Sequence, residues 1–331
     1  MRAAVCHEFG QPLVIEEVTL AEPGPGEVRV RLKACAICHS DIISMDGGWG
    51  GELPAVFGHE AAGIVTDVGA DVTRLSTGDP VVVTLVRSCG HCHSCARGDE
   101  VMCESEFRLD RHSPLESAAG DTVQQGLRTG AFAEEVVVDS SQASAIPEDV
   151  PFDSASLLAC GVLTGFGAVR NTARVKPGST VAVIGAGGVG LNCIQGAVAA
   201  AAGTIIAVDI ADTKLEAALR FGATHALDAS DARLVEKAHE ITDGRGAEYV
   251  FVSVGAKSAI DRSIDLLAKG GMAVIVGMPA SGVFAEYDPG ELAARSQRII
   301  GSKMGSARVA DDIPELVSLY RQGRLKLDAV S

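Results

Sequence analysis

The chain has 331 residues, 47% of them apolar and only 4% aromatic, with 38 glycines; the length predicts two domains and the composition a packed α/β protein. Asp and Glu outnumber Lys and Arg by 43 to 28, a formal net charge of −15, and so acidic a surface repels phosphate backbones and excludes nucleic acid as an expected partner. No run of roughly 18 strongly apolar residues stands out, and Met1-Arg2-Ala3-Ala4-Val5 enters a strand pattern directly, which predicts a cytoplasmic protein without membrane contact.

Taken in order, residues 1 to about 36 alternate apolar and polar through Leu13, Ile15 and Val18, then Val28, Val30 and Leu32, with Pro23-Gly24-Pro25-Gly26 between. This is an antiparallel β opening with a tight turn. Cys35 to Met45 reads as a short helical turn. Ala62–Val65 and Val81–Val83 read as strands whose flanking glycines bend a partly closed barrel. Glu104 to Arg128 is a polar connector of no clear period, expected at the substrate entrance. A strand resumes over 130–138, Pro147 and Pro151 mark a boundary, and Ala155 to Arg170 is helical in parts. From Thr180 onward, strands at Val181–Ile184, Ile205–Asp209, His225–Leu227, Tyr249–Val254 and Met272–Val276 alternate with helical stretches, including Lys257 to Lys269. That alternation means βαβ units and a doubly wound parallel sheet.

Three motifs carry chemistry. In Cys38-His39-Ser40-Asp41 and Gly58-His59-Glu60 a thiol and an imidazole are each followed closely by a carboxylate, the pattern of two ligands of one metal with supporting partners. Alone, such a Cys and His would more often be ordinary buried side chains. Cys89, Cys92, Cys95 and Cys103 fall in one loop, and four thiolates at this spacing can wrap a tetrahedral zinc with no position left for substrate. His91 and His93 lie in the same loop and are not needed as ligands. A nucleic-acid-binding zinc ribbon is the other reading, which the acidic surplus opposes. The nine cysteines are odd in number and unevenly spread, and cytosolic thiols stay reduced, so no disulfide framework is expected.

The third motif is Gly185-Ala186-Gly187-Gly188-Val189-Gly190, with a buried strand before it and a helix after it. Gly185 permits the sharp turn, Gly187 lets the backbone approach a pyrophosphate, and Gly190 lets helix and strand pack closely. The pyrophosphate would sit on the free N–H groups of the helix N-terminus. Asp209 ends the next strand; its carboxylate suits ribose hydroxyls and would repel a 2′-phosphate, so NAD is favoured over NADP. A dinucleotide domain beside a Cys-and-His metal site calls for a third ligand near the domain junction, and Cys160 is placed for it; otherwise it is a small buried thiol on a helix.

With Cys160-Gly161-Val162-Leu163-Thr164-Gly165 and Lys214 added, the chain resembles the zinc-dependent medium-chain alcohol dehydrogenases over nearly its whole length. The resemblance implies an α/β fold: a GroES-like, β-rich catalytic domain over 1–160 containing the 89–103 zinc loop, a Rossmann domain over 161–302, and a return segment over 303–331. It implies two zinc ions per chain, a catalytic one on Cys38, His59 and Cys160 and a structural one on the four-cysteine loop. Asp41 and Glu60 would lie close to the catalytic metal. Thr164 would lie beside the nicotinamide, Lys214 at the ribose edge, His39 near the pyrophosphate, and Val276 among the cofactor contacts. The expected reaction is reversible hydride transfer between a small alcohol and NAD. Zinc would act as a Lewis acid on the hydroxyl while Ser40 takes the proton, and Asp41 would hydrogen-bond His59.

The pattern departs from the family in two places. Ile43 stands where many members relay the proton through a histidine, so the route beyond Ser40 uses the cofactor ribose, water or another group such as His39. The chain also stops at Ala329-Val330-Ser331, where members usually continue: either the sequence is truncated or the barrel is completed differently. A strand at Ile299-Ile300 or in the 280s could pair across a two-fold axis to give a homodimer or homotetramer. A thiol-dependent formaldehyde dehydrogenase and a non-catalytic nucleotide-binding protein are the rival readings. Trp49 and the 104–128 connector are expected to shape alcohol specificity.

Overall fold

The alternating opening of the chain forms two paired strands in the computed structural model, which describes residues 1–327. β1 (Arg2–Cys6) runs antiparallel to β2 (Val14–Leu20), with Val5 opposite Val14. The strands β3 (Glu27–Ala36), β4 (Ala55–Val56), β5 (Glu60–Val68), β6 (Pro80–Val83), β7 (Leu115–Ser117), β8 (Thr122–Gln125), β9 (Glu135–Asp139) and β10 (Ala143–Ala145) follow. Five of them close into a barrel in the order β1-β2-β7-β8-β4, filled by Val5, Val18, Val56, Leu115 and Val123. The other five form an antiparallel sheet, β10-β6-β5-β3-β9, over Val28, Val30, Val65, Val81, Val83 and Val136. Alternation puts every second residue into these cores; of the β-branched positions read from the opening, Val18, Val28 and Val30 are buried, whereas Ile15 on β2 is 67% exposed.

The connector over 104–128 differs from its reading as an unpatterned loop, because β7 and β8 are two of the barrel's staves. Each buries a single side chain, Leu115 in one and Val123 in the other. One apolar residue per strand is too few for a period to register.

Helix runs unbroken from Phe152 to Ala173, longer than the partial helix expected. A window of it has a mean hydropathy of 1.5, so the helix is long and apolar enough to cross a membrane, contrary to the expectation of no such run. Yet 78% of that window is buried within the protein, and a helix buried all round is apolar all round. Two turns of it, Leu158–Val162 and Ala168–Ala173, are π-helical.

The strands β11 (Thr180–Ile184), β12 (Thr204–Asp209), β13 (His225–Asp228), β14 (Ala247–Val252), β15 (Leu267–Ile275) and β16 (Arg298–Gly301) form one sheet. Their order is β13-β12-β11-β14-β15-β16 and every pairing is parallel, the doubly wound arrangement with its switch point beside β11. Val181 and Val183 face one layer with Ile194, Ala197 and Phe251, while Ala182 and Ile184 face the other with Leu234 and Val250. β15 begins earlier than expected because the preceding helix stops at Asp265.

Among the described residues two compact units result, one of Met1–Gly161 with Arg308–Leu327 and one of Val162–Ala307. In the first unit the helix Val309–Arg321 buries Val309, Ile313, Leu316 and Val317, and Arg321 reaches Asp149 at 3.0 Å. Ala329, Val330 and Ser331, on which the reading of an early stop rests, lie outside the described residues.

Candidate functional site

The metal-type residues are assembled by one carboxylate. β3 ends at Ala36, and the helix His39–Met45 starts just beyond it with Cys38 as its N-cap. Asp41, at the third helical position and fully buried, reaches back so that its Oδ2 accepts the Cys38 N–H at 3.0 Å, the backward half of a capping box. Its Oδ1 accepts the Gly58 N–H at 3.0 Å and lies 2.9 Å from His59 Nδ1. Thus Asp41 ties the Cys38 and Gly58–His59 segments together. It also holds the imidazole with Nδ1 as donor, which frees Nε2 as a metal donor. Gly58 has φ +90°, and a Cβ there would lie 2.6 Å from the Phe132 ring, so no other residue fits this corner.

Cys160 arrives from the π-helical turn Leu158–Val162. Such a turn shifts the hydrogen-bond register and releases backbone groups, and the Gly161 N–H goes instead to Glu60 Oε2 at 3.3 Å. Ligand atoms of Cys38, His59, Glu60 and Cys160 all lie within 4.8 Å of one another. His59 Nε2 is buried with no hydrogen-bond partner, an arrangement costing about 1–3 kcal/mol unless something binds there.

The charges tell the same story. The Cys38 thiol is pushed down to about 3, by hydrogen bonding from Cys160 above all and, against its burial, by His59. Burial works against a charge on His59, but Asp41 and then the Cys38 sulfur outweigh it and raise the ring to about 10. Burial, followed by the Cys38 thiolate, lifts Glu60 to about 8. Both shifts favour positive charge between the Cys38 sulfur and the His59 ring, and a divalent cation there would have two sulfurs, one ring nitrogen and a carboxylate oxygen within reach. This is a donor set that fits zinc. Ser40 and His39 follow Cys38 on the same helix, half-buried and exposed respectively.

In the 89–103 loop the four sulfurs also converge within 4.8 Å. Cys89 and Cys95 sulfurs are 4.0 Å apart, as are those of Cys92 and Cys103, and no pair is bonded as a disulfide. Four sulfurs around one tetrahedral zinc lie about 3.8 Å apart, so the loop already has the spacing of a closed site. Backbone N–H groups of Cys92 and His91 point at Cys89 Sγ, and those of Cys95 and Glu104 at Cys92 Sγ, which stabilises thiolates. His91 turns its Nδ1 to the Cys89 carbonyl at 2.8 Å instead of joining the sulfurs.

In the second unit the glycine motif links β11 to the helix Gly188–Ala199. A Cβ on Gly190 would lie 1.8 Å from the Gly185 carbonyl oxygen, whereas the space beside Gly187 is open, as backbone approach by a ligand requires. Asp209 is buried at the end of β12, and its carboxylate accepts from Ala186 N at 2.7 Å and Ala211 N at 3.1 Å. These bonds fix the acid against the glycine turn. Val276 lies just past the end of β15, its N–H on the Val252 carbonyl at 2.9 Å, and Lys214 is exposed in the first turn after β12. Val276 and Asp209 therefore share the carboxyl edge of the sheet, where ligands of such folds bind. Thr164 is buried and donates to Met304 Sδ at 3.6 Å. Its helix, Leu163–Gly167, lies so close to the motif helix that a Cβ on Gly165 would be 2.2 Å from the Val189 carbonyl oxygen.

Sequence reasoning missed two supports: the Gly161 amide that holds Glu60, and the double role of Asp41 on Cys38 and Gly58. The capping spacing of Cys38 and Asp41 was the available signal for the second. Comparison with known proteins agrees with both halves of the chain. Residues 24–148 match the family described as alcohol dehydrogenase GroES-like domain, and residues 188–322 that described as zinc-binding dehydrogenase. Alcohol dehydrogenase B of Mycobacterium tuberculosis is 35% identical over 339 residues, covering 99% of this chain and 90% of its own. The "Probable S-(hydroxymethyl)glutathione dehydrogenase 1" of Schizosaccharomyces pombe is 36% identical over 99% of this chain and 88% of its own. The crystal structure of benzyl alcohol dehydrogenase from Acinetobacter calcoaceticus has a TM-score of 0.91 at 33% identity, over 99% of this chain and 90% of that one. Matched along nearly its full length and in both of its domains, the chain belongs to the zinc-dependent medium-chain alcohol dehydrogenase family.

Proposed function

We propose that the protein is a cytoplasmic NAD-linked alcohol dehydrogenase that interconverts a small primary or secondary alcohol and its aldehyde or ketone. The observation that carries this reading is the convergence of Cys38, His59 and Cys160 around a buried, unpartnered His59 Nε2. These three would hold zinc, with Glu60 a further donor within reach, and the four-cysteine loop would hold a second, structural zinc. When bound, the catalytic zinc supplies Lewis acidity that brings an alcohol hydroxyl's pKa towards neutrality.

The chain's own residues would do the rest. Asp41 holds His59 in one tautomer and keeps its segment against Cys38. Ser40, on the adjacent helical turn, takes the hydroxyl proton and passes it to solvent or to a cofactor hydroxyl, since Ile43 cannot relay it. Gly185 to Gly190 with Asp209 and Lys214 bind the dinucleotide, while Thr164 and Val276 contact its nicotinamide half. Asp209 faces the ribose with a negative charge, which favours NAD over the 2′-phosphorylated form. Removing water from the reacting atoms and aligning them supplies the remaining rate.

A panel of primary, secondary, aromatic and terpenoid alcohols, followed by NADH absorbance, tests the reading. We expect turnover of at least one class with NAD, and kcat/KM about tenfold or more lower with NADP, on the order of one lost charge contact. Equal use of both cofactors would remove the role given to Asp209, and no NADH from any alcohol would leave a nucleotide-binding protein. The fission-yeast relative's name favours one second reading, thiol-adduct oxidation. Formaldehyde oxidised only after a low-molecular-weight thiol is added would select it.

The assembly we propose is a homodimer or homotetramer. Met278, Phe284 and Tyr287, each exposed within the ten residues 278–287 that precede the edge strand β16, support it, because a covering partner would remove that apolar area from water. A single-chain mass by light scattering would contradict it.

A further inference from the structure

Next to the four-cysteine loop, Arg87 carries a fully buried guanidinium with every nitrogen engaged. Its Nε donates to Gln142 Oε1 at 2.7 Å, one terminal nitrogen to Asp110 Oδ1 at 3.0 Å, and the other to the Arg128 carbonyl at 3.1 Å. Gln142, equally buried, sends its Nε2 to the same Arg128 carbonyl at 3.0 Å and to the Thr84 carbonyl at 2.9 Å.

The turn they grip is one an unsupported chain avoids. Leu127 has φ +48° and Arg128 φ +59°, consecutive left-handed residues that are not glycine. Three successive carbonyls of this turn are each held by a side chain. Thr129 Oγ1 donates to Leu127 O at 3.2 Å, Arg87 and Gln142 to Arg128 O, and Gln125 Nε2 to Thr129 O at 3.1 Å. Backbone fixed this thoroughly positions a side chain. Leu127 packs on the cluster containing Phe57, Met45 and Phe132. Phe132 is the ring that closes the space beside Gly58, and Met45 ends the helix capped by Cys38.

We propose that Arg87 and Gln142 are positioning residues that hold the Leu127–Arg128 turn left-handed and thereby fix Leu127 as part of the apolar wall receiving the alcohol beside the Gly58–His59 corner. The inference rests on the alcohol-dehydrogenase reading for its kinetic consequence. Arginine suits the role because its rigid planar fork can serve acceptors on three chain segments at once, which a lysine ammonium does not.

Arg87→Lys keeps the charge and loses the fork. We expect KM for the best alcohol of the panel to rise about tenfold with kcat within about twofold, the signature of a displaced binding contact. Bound zinc should be unchanged. Amide hydrogen exchange over residues 126–132 should quicken while that of the 39–45 helix does not. Adding Arg128→Gly, which adopts positive φ without strain, should return both readouts towards wild type. Unchanged exchange over 126–132 in Arg87→Lys, or no recovery in the double variant, would overturn the proposal. If Arg87→Lys does not fold, Gln142→Glu keeps the oxygen that Arg87 needs, removes the donor to Arg128, and is read the same way. If no alcohol is oxidised at all, the alcohol reading falls, and the exchange measurement alone decides the clamp.

Discussion

Replacing Cys38 by alanine is expected to lower alcohol turnover at least about a thousandfold, roughly 4 kcal/mol of transition-state stabilisation. Bound zinc should fall from two ions per chain to one. The loss should be confined to chemistry, because Cys38 belongs to the unit Met1–Gly161 and the glycine motif to Val162–Ala307. NAD affinity, measured by calorimetry, should stay within a few-fold of wild type. Cys160→Ala should match it, since the two thiols share one site, and residues that act as a unit lose function together and not additively. Wild-type turnover with one zinc per chain would end the assignment.

The second large effect is expected at Asp41. Asp41→Asn preserves size but turns one acceptor oxygen into a donor, and both native oxygens face donors. If the amide nitrogen faces Cys38 N, two N–H groups oppose each other in a fully buried place, at a cost of about 1–3 kcal/mol. If it faces His59 instead, Nδ1 must accept, the proton moves to Nε2, and the nitrogen needed for the metal is blocked. Either outcome should weaken zinc at this site by about 10- to 100-fold, the usual cost of removing such a partner. Chelator competition measures the affinity and thermal unfolding the stability. The structural zinc in the 89–103 loop should be unaffected. An Asp41→Asn variant with native zinc affinity would show that the carboxylate only caps the helix.

Much of this was legible in the sequence because the chemistry there is local. Cys89, Cys92, Cys95 and Cys103 fall within one loop, and Gly185 to Gly190 within one turn, so their spacing alone limits what they can do. Cys38, His59 and Cys160 are separated by strands whose topology decides whether they meet; there the residue types and the neighbouring motifs suggested the set, and the family resemblance then implied it. What stayed hidden depends on three-dimensional context. β7 and β8 bury one side chain each, which leaves no pattern. The π-helical turn that presents Cys160 has no composition of its own, being Leu158-Ala159-Cys160-Gly161-Val162 within an apolar helix. The Arg87 network joins residues from four separate stretches, and its target carbonyl on Arg128 is backbone, which no side-chain motif reports.

The most direct measurement is an anomalous difference map of crystals collected at the zinc absorption edge. It should show two peaks per chain, one enclosed by the four cysteine sulfurs. The other should lie about 2.0–2.3 Å from Cys38 Sγ, His59 Nε2 and Cys160 Sγ. A single peak in the cysteine loop, with those three side chains holding nothing between them, would contradict the account.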